Sequence, residues 1–228
     1  MRRAVEICPH VYQVGGNSLS YSEDCCVYLV TSQEKSILID TGAGASADLS
    51  MENIAAAGIN PESIGHIVIT HGHIDHIGGL EAMTNRLDAK VAAHQLELPA
   101  VEEGLPQLTA ANWYGVNYQG VKVDIVLNDP FEPLQIGDYQ LRFVHIPGHT
   151  PGSIAVYADI DGKRVLFGQD IHGPFNREWG SDISQWRASM QKLLDLRADI
   201  LCEGHFGIYS PANAVEDYIQ GYLKRIRR

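Results

Sequence analysis

The stretch Thr70-His71-Gly72-His73-Ile74-Asp75-His76-Ile77-Gly78-Gly79 constrains this chain more than any other. It follows Gly65-His66-Ile67-Val68-Ile69, an apolar β-branched run that reads as a buried strand, so the histidines stand where that strand ends. On extended backbone His71 and His73 project to the same side. Asp75 and His76 come next, where Gly78-Gly79-Leu80-Glu81-Ala82-Met83 suggests a helix beginning. Three imidazoles and a carboxylate within this short span are poor packing material, because buried polar groups are costly unless they are partnered. Such a cluster can hold one metal from one side and a second from the other.

Length bounds the architecture. A chain of 228 residues makes one or two domains, and it can bury roughly 70% of its unfolded surface. Repeats, linkers and low-complexity segments are absent from the sequence, so residues 1–228 read as one domain. A net charge of −11 argues against nucleic acid, whose phosphates need a basic face. Cys8, Cys25, Cys26 and Cys202 form no Cys-x-x-Cys pair and read as buried thiols. After Met1-Arg2-Arg3 the apolar run is too short for a secretory leader, and no run approaches transmembrane length. The expectation is a cytoplasmic protein with no membrane partner.

Before the histidine stretch, Val11–Val14, Cys26–Val30 and Ser36–Asp40 read as strands, the last two joined by a hairpin turn at Ser32–Lys35. The segment from Gly15 to Asp24 is turn-rich and by itself reads as a solvated hairpin. Thr41-Gly42-Ala43-Gly44 lacks the full glycine fingerprint of a phosphate-cradling turn. A helix follows at 46–57, closed by Gly58 and Pro61. Beyond the histidines a helix to about residue 88 and a strand Lys90–Ala93 lead to His94, read as structural.

Regularity fades from Val101 to Val121, where Trp113, Tyr114 and Tyr118 cluster. Such inserts are lids, pocket walls, the subunit contacts of a homo-oligomer, or a satellite core. Strands return at Lys122–Leu127, Phe131–Leu134 and Tyr139–Ile146, with a turn at Ile136-Gly137-Asp138. Ser153–Ala158 and Lys163–Phe167 pair around the Asp161-Gly162 hairpin signal. Helical spacing of Ile183, Trp186, Met190, Leu193 and Leu194 predicts a helix at 182–196. Ile200–Cys202 reads as a last buried strand and Pro211–Tyr222 as a last helix. Its basic end, Lys224, Arg225, Arg227 and Arg228, complements the helix dipole.

The His-x-His-x-Asp-His motif after a strand resembles the metal motif of the metallo-β-lactamase-fold superfamily. Pro147-Gly148-His149-Thr150-Pro151-Gly152-Ser153 resembles that family's second histidine motif. Phe167-Gly168-Gln169-Asp170 is similar to its bridging-aspartate motif, and Glu203-Gly204-His205 to its last histidine. Leu38-Ile39-Asp40-Thr41-Gly42 is similar to the strand-end aspartate turn beneath the metals. The resemblance also implies, as the alternative to a solvated hairpin, that the loop from Gly15 to Asp24 overhangs the site. This resemblance runs from about residue 25 to 210 and implies an α/β fold, a four-layer αββα sandwich.

Carried over residue by residue, the resemblance implies that His71, His73 and His149 bind one metal. Asp75, His76 and His205 bind the second, and Asp170 bridges. Asp40 is expected to steady a histidine ligand or the loop backbone. A donor set without thiolate suits zinc and also iron or manganese. Two such ions roughly 3.5–4 Å apart can share a hydroxide that attacks a small-molecule substrate, with Asp75 ligating and orienting it. His172, two residues beyond the bridging ligand, is the candidate for proton transfer or substrate contact, or else an exposed loop histidine. His10, His66 and His145 are read as structural.

The bridging Asp170 resembles the glyoxalase II and lactonase branch rather than the many class B β-lactamases with cysteine there. Glyoxalase II adds a helical domain, whereas only residues 206–228 follow His205. The lactonases place tyrosine where Gly173 stands. The expected function is therefore a dinuclear hydrolase of a small ester, thioester, lactone or phosphoester. The alternative is a mononuclear iron oxidoreductase of the persulfide dioxygenase type. Flavodiiron proteins carry a flavodoxin domain that this length leaves no room for.

Overall fold

Seven strands form the first sheet, in the order of the sequence: β1 (Val5–Cys8), β2 (Val11–Gly15), β3 (Val27–Ser32), β4 (Lys35–Ile39), β5 (Ile64–Val68), β6 (Lys90–His94) and β7 (Ile125–Leu127). Pairing is antiparallel from β1 to β4 and parallel from β4 to β7. The second sheet contains β8 (Leu134–Ile136), β9 (Tyr139–His145), β10 (Ile154–Ile160), β11 (Lys163–Gln169), β12 (Ile200–Glu203) and β13 (Ile208–Tyr209). Its order is β13-β12-β11-β10-β9-β8, with only β11 and β12 parallel. The computed structural model describes residues 4–226; Met1–Arg3 at the expected non-leader start, and Arg227 and Arg228 of the basic end, lie outside the described residues.

Two-residue periodicity explains why the sheets stack. Tyr28 and Val30 of β3 face a core shared by both sheets, while Val27 and Leu29 face another. In β11, Val165 and Phe167 join that shared core and Leu166 faces a third. Strands buried on both faces need cover on both. On the first sheet's outer side it comes from α1 (Ala47–Ala56), α2 (Ile74–Ile77), α3 (Leu80–Thr84) and α4 (Leu98–Val101), through Ile54, Ile77, Met83 and Val101. Two short helices at the rim, α5 (Pro106–Thr109) and α6 (Ala111–Tyr114), precede α7 (Ile183–Asp195) and α8 (Ala212–Arg225). Trp186, Met190, Leu193 and Ile219 of α7 and α8 cover the second sheet. The result is the expected αββα sandwich. No helix among the described residues is long and apolar enough to cross a membrane.

Several boundaries differ from the sequence reading. The helix expected to about residue 88 is two short ones, broken at Gly78-Gly79. A Cβ on Gly78 would lie 2.3 Å from Ala43 O and one on Gly79 2.4 Å from Thr41 O, so both glycines admit the 41–44 turn. The strand expected at Phe131–Leu134 begins instead at Leu134, because Gly137-Asp138 turns β8 back on β9 with Ile136 paired to Tyr139. Lys122–Leu127 shortens to β7. The last helix extends to Arg225, with Lys224 and Arg225 in its final turn. All four cysteines are free and buried, as expected.

Candidate metal centre

Strand ends deliver the polar groups to one rim. Thr70 to His73 continue from β5, Asp75 and His76 open α2, His149 lies in the loop from β9 to β10, Asp170 follows β11, and His205 follows β12. Ring nitrogens of His71, His73 and His149 meet in one set: His73 Nδ1 lies 3.0 Å from His71 Nε2 and 2.9 Å from His149 Nε2. Asp75, His76, Asp170 and His205 form a second. There His205 Nε2 is 3.1 Å from Asp75 Oδ2 and 3.4 Å from Asp170 Oδ1, and His76 Nε2 is 3.3 Å from Asp170 Oδ1. Asp170 turns its other oxygen, Oδ2, to the first set, 3.5 Å from His149 Nε2 and 4.0 Å from His71 Nε2.

These groups suit divalent cations. His76 Nε2 and Asp170 Oδ1 are buried without any hydrogen-bond partner, an arrangement costly to a folded protein unless something coordinates them. Burial and neighbouring imidazoles hold His71 and His73 well below the usual histidine range, which leaves their lone pairs free. In the second set burial opposes protonation, but the Asp170 and Asp75 carboxylates outweigh it and raise His205 to about 10. Burial likewise works against Asp170, yet His205 and His76 hold its carboxyl well below the usual range. Positive charge is therefore favoured between these carboxylates.

Asp40 has the supporting place expected of it. Its Oδ2 is 2.8 Å from His76 Nδ1, which directs Nε2 at the second set, and it accepts the Thr70 N–H and hydroxyl at 2.8 Å each. Glu97 was not singled out by the sequence. Buried, it accepts from Gly72 N, Thr150 Oγ1 and Gly152 N, each at 2.7 Å, and so joins the loop of His71 and His73 to the loop of His149. A Cβ on Gly152 would stand 2.7 Å from Glu97 Cγ, and one on Gly72 2.9 Å from Oε2. Those two glycines inside histidine motifs were the available signal. Glu203 was likewise missed as a functional group. Fully buried, it accepts from His205 N and Phe206 N and lies 2.8 Å from His172 Nδ1.

A cavity of about 130 Å³ lies over both sets. His172 lines it, with its ring 5.3 Å from that of His205. Trp113 and Tyr114 of the aromatic insert line it as well, so part of that insert is a pocket wall. Tyr118 instead donates to Val101 O and packs on the first sheet's outer core. Trp179, unremarked in the sequence, sits 4.5 Å from His73 and 4.7 Å from Trp113, ring to ring. The loop from Gly15 to Asp24 does not overhang: among the described residues it lines no part of the cavity. Asp24 draws it onto the 41–46 turn instead by accepting from Ala43 N and the Ser46 hydroxyl. His94 stacks on His145 at 4.3 Å, away from the cavity lining, and His10 lies 4.0 Å from Asp161.

The profile of the metallo-beta-lactamase superfamily matches residues 23–205. A probable metallo-hydrolase, YybB of Bacillus subtilis (strain 168), is 29% identical over 177 residues, 74% of each chain. The acyl-coenzyme A thioesterase MBLAC2 of Bos taurus is 27% identical over 213 residues, covering 80% of this chain and 73% of that one. Among solved structures, the class B3 di-zinc metallo-beta-lactamase LRA-12 from an Alaskan soil metagenome superposes with a TM-score of 0.81 at 22% identity, over 98% of this chain and 90% of that one.

Proposed function

Because the chain belongs to the metallo-β-lactamase superfamily, we propose that it is a metal-dependent hydrolase with a dinuclear centre, acting on a small ester, thioester, lactone or phosphoester. One observation carries the dinuclear reading: the two oxygens of Asp170 face two separate donor sets, Oδ1 the second and Oδ2 the first. A mononuclear iron oxidoreductase of the persulfide dioxygenase type needs only one such set. Similarity to a probable metallo-hydrolase and to a thioesterase supports hydrolysis.

Divalent cations, zinc best suiting the donors and iron or manganese also compatible, would supply at this site a water of pKa nearer ~7 and a Lewis acid for the substrate oxygen. His71, His73 and His149 would hold one ion, Asp75, His76 and His205 the other, with Asp170 shared. Asp40 and Glu97 orient the histidine loops. His172 gives Nδ1 to Glu203, so Nε2 is the nitrogen left to meet a substrate and exchange a proton with it. Water adds across the acyl–heteroatom or phosphorus–oxygen bond, releasing an acid and an alcohol or thiol. The cytoplasm, where a protein without disulfides keeps its thiols reduced, is the proposed location.

Elemental analysis after purification without added metal, paired with assays on esters, thioesters, lactones and a phosphodiester, tests this reading. Two divalent ions per chain and turnover lost in His73→Ala are expected. Metal-loaded protein that is inactive on the whole panel, or unaffected by His73→Ala, overturns it.

A further inference from the structure

Around the cavity mouth, charge and apolar surface are sharply divided. Trp179 is almost fully buried against His73, and Trp113, tilted against it, is 59% exposed, so the pair forms a continuous aromatic surface from the three-histidine set out to solvent. Pro174, Ala110 and Tyr114 extend this wall. His172 stands beside His205 at the second set, with Phe206 against its ring at 4.6 Å. No lysine or arginine among the described residues lines the cavity, and its only carboxylates, Asp75 and Asp170, belong to the donor sets.

Resting on the hydrolase reading, we propose that the substrate is a carboxylic ester or thioester whose acyl group is uncharged, apolar and compact, and is seated on Trp113 and Trp179. The bond to be cleaved must lie over the donor sets, so the group against Trp179 is attached directly to the reacting carbon. The leaving heteroatom then faces His172, the cavity's one histidine outside the donor sets. An exposed tryptophan continuous with a reaction site is apolar surface that a ligand covers. At about 130 Å³ the cavity is well below the roughly 300–1,000 Å³ of a site for a drug-sized ligand, which favours a compact acyl group such as benzoyl or butyryl. A carboxylate at the end of the acyl chain would sit on the tryptophan wall, away from the donor sets, with no lysine or arginine among the described residues there to offset its desolvation.

The test uses metal-loaded protein and N-acetylcysteamine thioesters of acetate, butyrate, benzoate and succinate, with bis(4-nitrophenyl) phosphate for comparison. Benzoyl and butyryl thioesters should exceed acetyl and succinyl in kcat/KM by at least about tenfold. Trp113→Ala should erase most of that advantage, mainly through KM, and Trp113→Phe should restore it. Titration with the non-hydrolysable S-phenacyl-N-acetylcysteamine should quench tryptophan fluorescence saturably, and Trp113→Ala should abolish saturation. Equal or better use of the succinyl thioester or the phosphodiester, or an equal effect of Trp113→Ala on acetyl and benzoyl substrates, overturns the proposal. Saturable quenching without turnover of any substrate leaves the aromatic seat standing and retires the hydrolase reading; turnover without saturable quenching does the reverse.

Discussion

Asp40 Oδ2 lies 2.8 Å from His76 Nδ1, and both side chains are buried. The carboxylate fixes which imidazole nitrogen points at the second donor set, while Thr70 N and Oγ1 fix the carboxylate itself. Asp40 → Asn should fold, since residue 40 sits at φ +61° and asparagine tolerates that region. Affinity for the second metal equivalent should fall by about 10–100-fold, with the first little changed. Cobalt titration against a competing chelator reads both equivalents, and unchanged binding at the second would remove Asp40 from this role.

Glu97 predicts a coupled loss. Both carboxylate oxygens accept bonds, so glutamine must turn an N–H toward another donor, leaving buried groups unpaired. Glu97→Gln should cost about 2–3 kcal/mol of stability and weaken metal binding at the three-histidine set. Urea unfolding at fixed metal concentration measures the first effect and the cobalt titration the second. A variant as stable as the parent would show that the two histidine loops hold together without this carboxylate.

Acid should act through His94. Burial, with the stacked His145 close by, pushes His94 down to about 4 from an unfolded value near 6.5. The folded state therefore binds fewer protons in that window. Stability from this group is present above pH 6.5 and is lost as pH falls toward 4, by up to about 3 kcal/mol. The readout is the difference between the parent and His94→Asn, each unfolded across pH 7.5–4.5, which cancels contributions common to both. Parallel stability curves would refute the assignment.

Chelation should destabilise the fold. Binding to the native state alone stabilises by about 2.7 kcal/mol at a free metal concentration a hundred times Kd. Dialysis against a chelator should lower the thermal midpoint, and zinc should restore it in a concentration-dependent way. An unchanged midpoint would mean that the seven side chains bind no cation of consequence to folding.

Local patterning made much of this chain legible. Apolar runs such as Val27–Val30 and Val165–Phe167 announce strands because alternate residues meet neighbouring layers. Asp182, which caps α7 through the Ser184 and Gln185 N–H groups, stands where the helical spacing begins. Gly78-Gly79 was misread as helix because the need for glycine there comes from the carbonyls of Thr41 and Ala43, more than thirty residues away. Phe131–Leu134 was misplaced because its apolar ends look like a short strand, whereas pairing with β9 selects Leu134–Ile136.

By itself the sequence determined which residue types stand at which strand ends, since strand and helix periodicity depends on neighbours only a few positions apart. The tertiary structure alone decided that Glu97 would bind Gly72 and Gly152 together, that Glu203 would hold His172, and that Trp113 and Trp179 would wall one cavity. Those relationships are distances between segments far apart in the chain. They are set by how two sheets and their helices pack, and no local pattern encodes them.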